Sequence, residues 1–145
     1  MEIIKFYSVN DDFGDFSNFA RYPVKIKGKR YLTSEHYFQA MKFESMSDQN
    51  DIIKAKTPMD AARKGRDRKK KLRRNWESIK DNIMREAVMA KFSQHAELKS
   101  LLLSTGDAQI IEHSENDAYW GDGGDGSGKN MLGKILVETR EKLKA

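Results

Sequence analysis

Residues 22–46 read YPVKIKGKRYLTSEHYFQAMKFESM, and a change of period inside this stretch decides the fold. Apolar and polar residues alternate at Val24 and Ile26, and Lys27-Gly28-Lys29 stands where a turn belongs, which predicts a β-hairpin over Tyr22 to Leu32. From Thr33 the period becomes helical: a hydroxyl at Thr33-Ser34 can cap orphan amides, Glu35 suits the first turn, and helix formers continue to about Met46. Tyr37, Phe38, Ala40, Met41 and Phe43 surround that helix with apolar surface, so it is mostly buried and its polar residues need partners or a cavity. Glu35, Gln39 and Lys42, spaced i, i+4, i+7, fall on one stripe of it.

The same reading extends outward. Ile3 to Tyr7 is a short strand and Asn10 to Asn18 a loop. Thr57-Pro58-Met59-Asp60 starts a short helix to about Gly65. Trp76, Ile79, Ile83, Ala87 and Ala90 mark an amphipathic helix to about Phe92, and Glu97 to Leu103 adds a helical turn or two. Gln109 to Glu112 reads as a strand, and Met131 to Lys144 as a closing helix. The chain shows no repeat and no long linker. The expectation is an α+β fold, a mainly helical single domain over residues 1–145 with a small antiparallel sheet.

Composition narrows the function classes. Hydrophobic residues at 38% and charged residues at 34% give one core and a heavily solvated surface. No window approaches the ~18 apolar residues of a membrane span, and the start Met1-Glu2-Ile3-Ile4-Lys5 lacks a basic segment followed by an apolar one; the expectation is a cytoplasmic protein without a membrane partner. The absence of cysteine removes thiolate catalysis and Cys-based zinc sites, and three scattered histidines show no metal-ligand spacing, so no metal is expected. The net charge of +5 is unevenly placed: Arg63 to Arg74 sums to +8 and the remainder to −3. One dense patch can hold the phosphates of a nucleotide or of a polynucleotide, or can be a solvated helix end. Lys69, Lys70 and Lys71 fit the solvated reading, whereas Arg63 and Arg66 lie nearer the preceding helix and can be held rigidly.

Two loops stand out. Phe16-Ser17-Asn18-Phe19 can pin itself by its aromatics while aiming Ser17 and Asn18 at a ligand, although an Asx turn explains Asn18 equally well. Asp117 to Asn130 holds five of the ten glycines and superficially matches a dinucleotide fingerprint and a P-loop. Both matches fail: Asn130 stands where a P-loop has Ser or Thr, and about one helix of chain remains where each motif needs a βαβ unit. Glycines still let backbone amides approach a ligand, and the following helix start can take an anion; a loop that simply needs positive φ is the equal alternative. Asp117, Tyr119, Trp120 and Asp122 tip the balance to a ligand pocket, because aromatic faces stack flat rings and carboxylates hold hydroxyls or exchange protons.

Three segments together resemble the NADAR family: Phe16-Ser-Asn-Phe19, Ser34-Glu-His-Tyr-Phe-Gln-Ala-Met-Lys-Phe43, and Asp117-Ala-Tyr-Trp-Gly-Asp-Gly-Gly-Asp-Gly-Ser-Gly-Lys-Asn-Met-Leu-Gly133. The resemblance spans essentially the whole chain, including Arg63-Lys-Gly-Arg66 and Asn75-Trp76, and is strongest to the bacterial branch acting on riboflavin-pathway intermediates. It implies an α+β N-glycosidase that needs no cofactor. Its expected substrate is a small phosphorylated ribosylaminopyrimidine, cut to ribose 5-phosphate and the aminopyrimidine base. The competing expectations are an ADP-ribosyl-guanine glycohydrolase acting on DNA or RNA, and a non-catalytic ADP-ribose or nucleotide-binding module. Nucleic acid is a partner only under those alternatives, and no oligomeric state is assigned.

Cleavage at ribose C1 needs a carboxylate near developing positive charge and a proton for the departing nitrogen, which fits Glu35 and Asp117. A desolvated Lys42 can attack C1 of a ring-opened ribosylamine and form a Schiff base that water later hydrolyses. The resemblance therefore implies Lys42 as nucleophile, Glu35 as its proton-transfer partner and Asp117 as acid/base or ribose-orienting group; the alternative is a buried Glu35–Lys42 ion pair that only satisfies the helix. Trp120 or Trp76 is expected to stack the base, though Trp76 also fits a core pattern. Arg63 and Arg66 are candidate phosphate ligands, and Ser17, Asn18, Gly121, Asp122 and Asn130 candidate ribose or phosphate contacts. His36 reads as a satisfied structural residue, and His95 and His113 have no local constellation.

Overall fold

A computed structural model describes residues 2–144. In chain order the elements are β1 (Ile3–Phe6), a 3₁₀ turn at Gly14–Phe16, β2 (Val24–Ile26), β3 (Lys29–Tyr31), α1 (Ser34–Ala40), α2 (Met46–Ile53), α3 (Pro58–Gly65), α4 (Trp76–Gln94), α5 (Ala96–Ser104), β4 (Gln109–Glu112) and α6 (Met131–Leu143). Helix predominates and the strands form two separate pairs, so the class is α+β. Contacts divide the chain into two compact units, Arg21–Lys91 and the two flanking segments Met1–Ala20 with Phe92–Ala145.

In the central unit the hairpin forms as the alternation predicts, with Val24 opposite Tyr31 and Ile26 opposite Lys29. Lys27 and Gly28 both take positive φ, 52° and 84°, which a two-residue turn matching the strand twist requires. Thr33 then caps α1 by accepting the His36 amide, and all seven residues of α1 are buried. Pro58 follows the Thr57 cap of α3, whose hydroxyl accepts the Asp60 amide. Val24, Tyr31, Tyr37, Ala40, Phe43, Ile52, Ala55, Ala61 and Ala87 close one core across hairpin and helices.

The first helix is shorter than its sequence predicts. It ends at Ala40 rather than near Met46, and the chain tightens there into i→i+3 turns, Lys42 N–H to Gln39 O and Phe43 N–H to Ala40 O. A remote residue supplies the reason. Arg73 donates from Nε to Met41 O at 2.7 Å and from its amide to Lys42 O at 2.7 Å, while Phe43 pairs with Leu72 in an antiparallel bridge. These bonds take the carbonyls that a continuing helix would have used. Ser45 then caps a separate helix, α2, which the periodicity does not announce.

In the flanking unit β1 and β4 pair in parallel, Ile3 opposite Gln109 and Phe6 opposite Glu112. The sequence predicts both strands but not this pairing. Asn130, at φ 53°, sits in the left-handed region at the start of α6. Its side chain extends the strand: Oδ1 accepts the Glu112 amide at 3.0 Å and Nδ2 donates to Ile110 O at 2.9 Å. Gly133 passes so close to Ile110 O and the Asn130 amide that no Cβ would fit. No helix among the described residues is long and apolar enough to cross a membrane.

Candidate active site

Within Arg21–Lys91 the structure gathers Glu35, Gln39, Lys42 and Arg66. Glu35 is 8% exposed, and its Oε2 accepts from Gln39 Nε2 at 2.7 Å, an i, i+4 pair on α1. Lys42 lies one turn past the end of α1, half-buried, with Nζ 5.9 Å from the centroid of the Phe38 ring. Its Nζ forms no hydrogen bond or ion pair with the described residues, so the Glu35–Lys42 contact pair that the stripe allows is not made. Burial holds the Lys42 pKa below the ordinary lysine range, against the pull of the Glu35 carboxylate, and the Arg66 and Lys80 charges add to the depression. An amine so placed can release its proton and attack an electrophile.

Trp76 is 5% exposed and meets Phe38 edge to face, so the same ring that lies under Lys42 is backed by the indole. Arg63 projects from the end of α3 with its side chain 68% exposed and 3.5 Å from Asp60. Lys64 and Lys70 both reach Asp51 at 2.9 Å, and Lys70 also reaches Asp67. The basic run is therefore laced with aspartates, and Lys70, which the sequence leaves in solvent, is tied down. Arg66 has no such carboxylate partner among the described residues. His36 is wholly buried between Thr33 Oγ1 at 2.7 Å and Ala55 O at 2.9 Å, a satisfied structural histidine.

The flanking unit holds the second group. Ser17 Oγ accepts the Phe19 amide at 3.1 Å, and Asn18 beside it is buried. Asp117 Oδ1 accepts the amides of Tyr119 and Trp120 at 3.0 and 2.9 Å, while its Oδ2 takes no hydrogen bond from the described residues. Trp120 stands edge-on to Tyr119, with ring centroids 4.9 Å apart. Gly121 is a close-approach glycine, because a Cβ there would meet the carbonyls of Glu112 and Asp117. Asp122 is buried and holds the loop together: Oδ1 accepts from Ser114 N and Gly124 N, and Oδ2 meets His113 Nδ1 at 2.8 Å. Burial alone would raise the Asp122 pKa, but those bonds outweigh it and hold the carboxyl below its usual range.

The helix start behind this loop is already used. Asn130 N–H donates to Gly121 O, Met131 N–H to Tyr119 O and Leu132 N–H to Trp120 O, so the chain itself fills the anion position that the sequence suggests at α6. Sequence reasoning also misses Phe38, Arg73 and His113. Phe38 reads as one aromatic among several, and the partners of Arg73 and His113 are remote in sequence, so no local spacing signals them. Among the described residues no group of three or more histidines and carboxylates is placed to hold a metal ion.

Comparison with known proteins gives four results. A NADAR domain profile matches residues 5–144. The chain is 60% identical to the N-glycosidase YbiA of Escherichia coli (strain K12) over 141 residues, 97% of this chain and 88% of that protein. It is 40% identical to the riboflavin biosynthesis protein VVA0006 of Vibrio vulnificus (strain YJ016) over 140 residues, 97% of this chain and 38% of that one. The NMR structure of the E. coli protein YbiA matches with a TM-score of 0.92 at 59% identity, covering 99% of this chain and 85% of that one.

Proposed function

This chain belongs to the NADAR family and is an N-glycosidase, and from that premise we propose that it cleaves a phosphorylated ribosylaminopyrimidine intermediate of riboflavin biosynthesis. The bond cut joins ribose C1 to the exocyclic nitrogen, and the products are ribose 5-phosphate and the aminopyrimidine. The observation that carries this reading is Lys42: half-buried, without an ion pair among the described residues, its pKa depressed by burial, and under the electrostatic influence of Glu35.

In this reading Glu35 is the proton-transfer partner of Lys42. Depression of the Lys42 pKa makes the tautomer with neutral amine and protonated Glu35 more accessible. Nζ attacks C1, the C1–N pair departs with the base, and Glu35 gives that nitrogen its proton. The Glu35 carboxylate then takes a proton from Nζ and passes it to the ring oxygen as the C1–O bond opens, leaving a Schiff base between Nζ and C1. Water adds to C1 and yields its proton to Glu35. Collapse of that adduct expels Lys42 as the amine, protonated by Glu35, while the C1 hydroxyl returns a proton to Glu35 and the sugar aldehyde is released.

Arg66 supplies the charge for the 5′-phosphate. In the flanking unit, taken by itself, Asp117 has Oδ2 for an acid/base or ribose-orienting role, and Trp120 has an aromatic surface suited to a flat base. Ser17 and Asn18 of the same flanking unit carry groups suited to a ribose, and Gly121, Asp122 and Asn130 shape the loop that presents Asp117 and Trp120. The aspartate partners of Arg63, Lys64 and Lys70 withdraw charge from the basic run, which favours a small phosphorylated ligand over a polynucleotide.

The test is mass-spectrometric detection of ribose 5-phosphate and free base from 5-amino-6-ribosylaminouracil 5′-phosphate, with cyanoborohydride added in a parallel reaction. Product above the spontaneous rate and a reduced sugar adduct on Lys42 are expected. Folded protein that releases no base overturns the substrate; turnover without an adduct, persisting in Lys42→Ala, overturns the nucleophile.

A further inference from the structure

The turn that follows α1 is held at three carbonyls in a row. Met41 O accepts Arg73 Nε at 2.7 Å, Lys42 O accepts the Arg73 amide at 2.7 Å, and Phe43 O accepts Gln49 Nε2 at 2.8 Å. The amides of the same three residues are used as well, donating to Tyr37 O, Gln39 O and Ala40 O. Every backbone polar group from Met41 to Phe43 therefore has a partner, and the flanking side chains of Ala40 and Phe43 are buried. A helix end ordinarily leaves such carbonyls to water or to a glycine in the left-handed region. No residue of this turn takes positive φ, and two polar side chains from elsewhere in the central unit serve it instead: Gln49, 6% exposed on α2, and Arg73, half-buried ahead of α4.

Lys42 is the middle residue of this clamp. Its main chain is fixed on both sides, while its Nζ, beside the Phe38 ring, bonds to none of the described residues. The charges that bear on Lys42 are those of Glu35, Arg66 and Lys80, whereas the Arg73 guanidinium bears on Tyr37. Arg73 therefore reaches Lys42 through the backbone and not through its charge. We propose that Arg73 and Gln49 are positioning residues that hold the Lys42 main chain so that its amine stays over Phe38, withdrawn from water, where it meets the substrate. The inference rests on the nucleophilic role of Lys42 given above and adds the residues that place it. A shift at the root of the side chain is carried whole to Nζ, and a displacement of about 1 Å at a reacting atom costs on the order of a hundredfold in rate. Neither residue touches substrate in this assignment, so the clamp governs kcat and not KM.

Gln49→Leu and Arg73→Met test this, because each keeps the apolar stem of the side chain and removes one donor to the turn. Each folded variant is read in three ways: hydrogen exchange at the Lys42 and Phe43 amides, the Lys42 pKa from lysine Cε NMR without substrate, and kcat and KM for the phosphorylated ribosylaminopyrimidine. The expected result is faster exchange, a Lys42 pKa moved up toward the ordinary lysine value as water reaches the amine, kcat lowered roughly tenfold, and KM little changed. Gln49→Leu alters no charge, so its pKa rise reports hydration of the amine and not the loss of a neighbouring cation. Arg73→Lys keeps a donor for Met41 O and is expected to recover part of kcat; it also keeps the test alive if Arg73→Met does not fold. An unchanged Lys42 pKa in the folded variants overturns the clamp alone. A raised KM with kcat intact makes Arg73 a substrate contact and overturns its positioning role. A raised pKa with kcat unmoved shows that the reaction does not depend on Lys42, which removes the nucleophile and the proposal with it.

Discussion

Phe38 and Trp76 meet edge to face, with centroids 5.1 Å apart and planes inclined at 61°, and the same Phe38 ring lies 5.9 Å from the Lys42 ammonium. The buried indole thus fixes the apolar surface that desolvates the amine. Trp76→Phe should lower kcat while leaving KM unchanged, because it loosens Phe38 rather than a substrate contact. Steady-state kinetics on the folded variant check this; a rise in KM with kcat intact would instead make Trp76 a surface for the base.

Lys42 sets a second group of expectations. Its folded pKa lies below the ordinary value of 10.5, so the unfolded chain binds more protons there and stability rises as pH climbs through the folded pKa toward 10.5. Below that window the folded state bears the cost of a desolvated ammonium. Lys42→Met should therefore raise the melting temperature by a few degrees at neutral pH, lose the alkaline gain, and abolish base release. Calorimetry at several pH values, beside the activity assay, tests all three.

Glu35→Gln removes the carboxylate that pulls the Lys42 pKa upward, so that pKa should fall further. NMR titration of the lysine Cε resonances measures the change. A Lys42 pKa that rises or stays fixed would show that the two groups do not interact as described.

Arg66→Ala should raise KM for the phosphorylated substrate roughly tenfold or more, the scale of one charged hydrogen bond, and leave KM for the dephosphorylated nucleoside unchanged. Arg63→Ala, whose side chain is exposed and paired with Asp60, should change neither. Equal effects of Arg66→Ala on both substrates would remove Arg66 from the phosphate.

His36 gives an acid-side prediction. A carbonyl only accepts, so Nε2 carries a proton to Ala55 O and Nδ1 accepts from the Thr33 hydroxyl, which in turn accepts the His36 amide. Burial lowers the His36 pKa below 6.5 despite the favourable Ala55 bond. The unfolded chain then binds the extra proton first, so stability falls as pH drops below 6.5 toward the folded pKa. Urea midpoints between pH 5 and 7.5 should show this loss, and His36→Gln should flatten it. Thr33→Ala, by contrast, should cost about 1 kcal/mol at every pH through the lost cap.

The sequence by itself determined what local chemistry can determine. Alternation at Val24 and Ile26 and the Lys27-Gly28 turn specify a hairpin, and Thr33, Thr57 and Pro58 specify helix starts, because each acts on amides within four residues. Glu35 and Gln39 were legible as one stripe for the same reason. Tertiary structure alone decided where α1 stops, since Arg73 reaches Met41 O from 32 residues away and leaves Lys42 in a turn rather than on the helix. It alone decided the parallel pairing of β1 with β4, the Asp122–His113 contact and the use of the α6 amides by Gly121, Tyr119 and Trp120. Burial of Lys42 belongs to the same class: desolvation sums over neighbours from several elements, and spacing along a chain carries no record of which of them will exclude water.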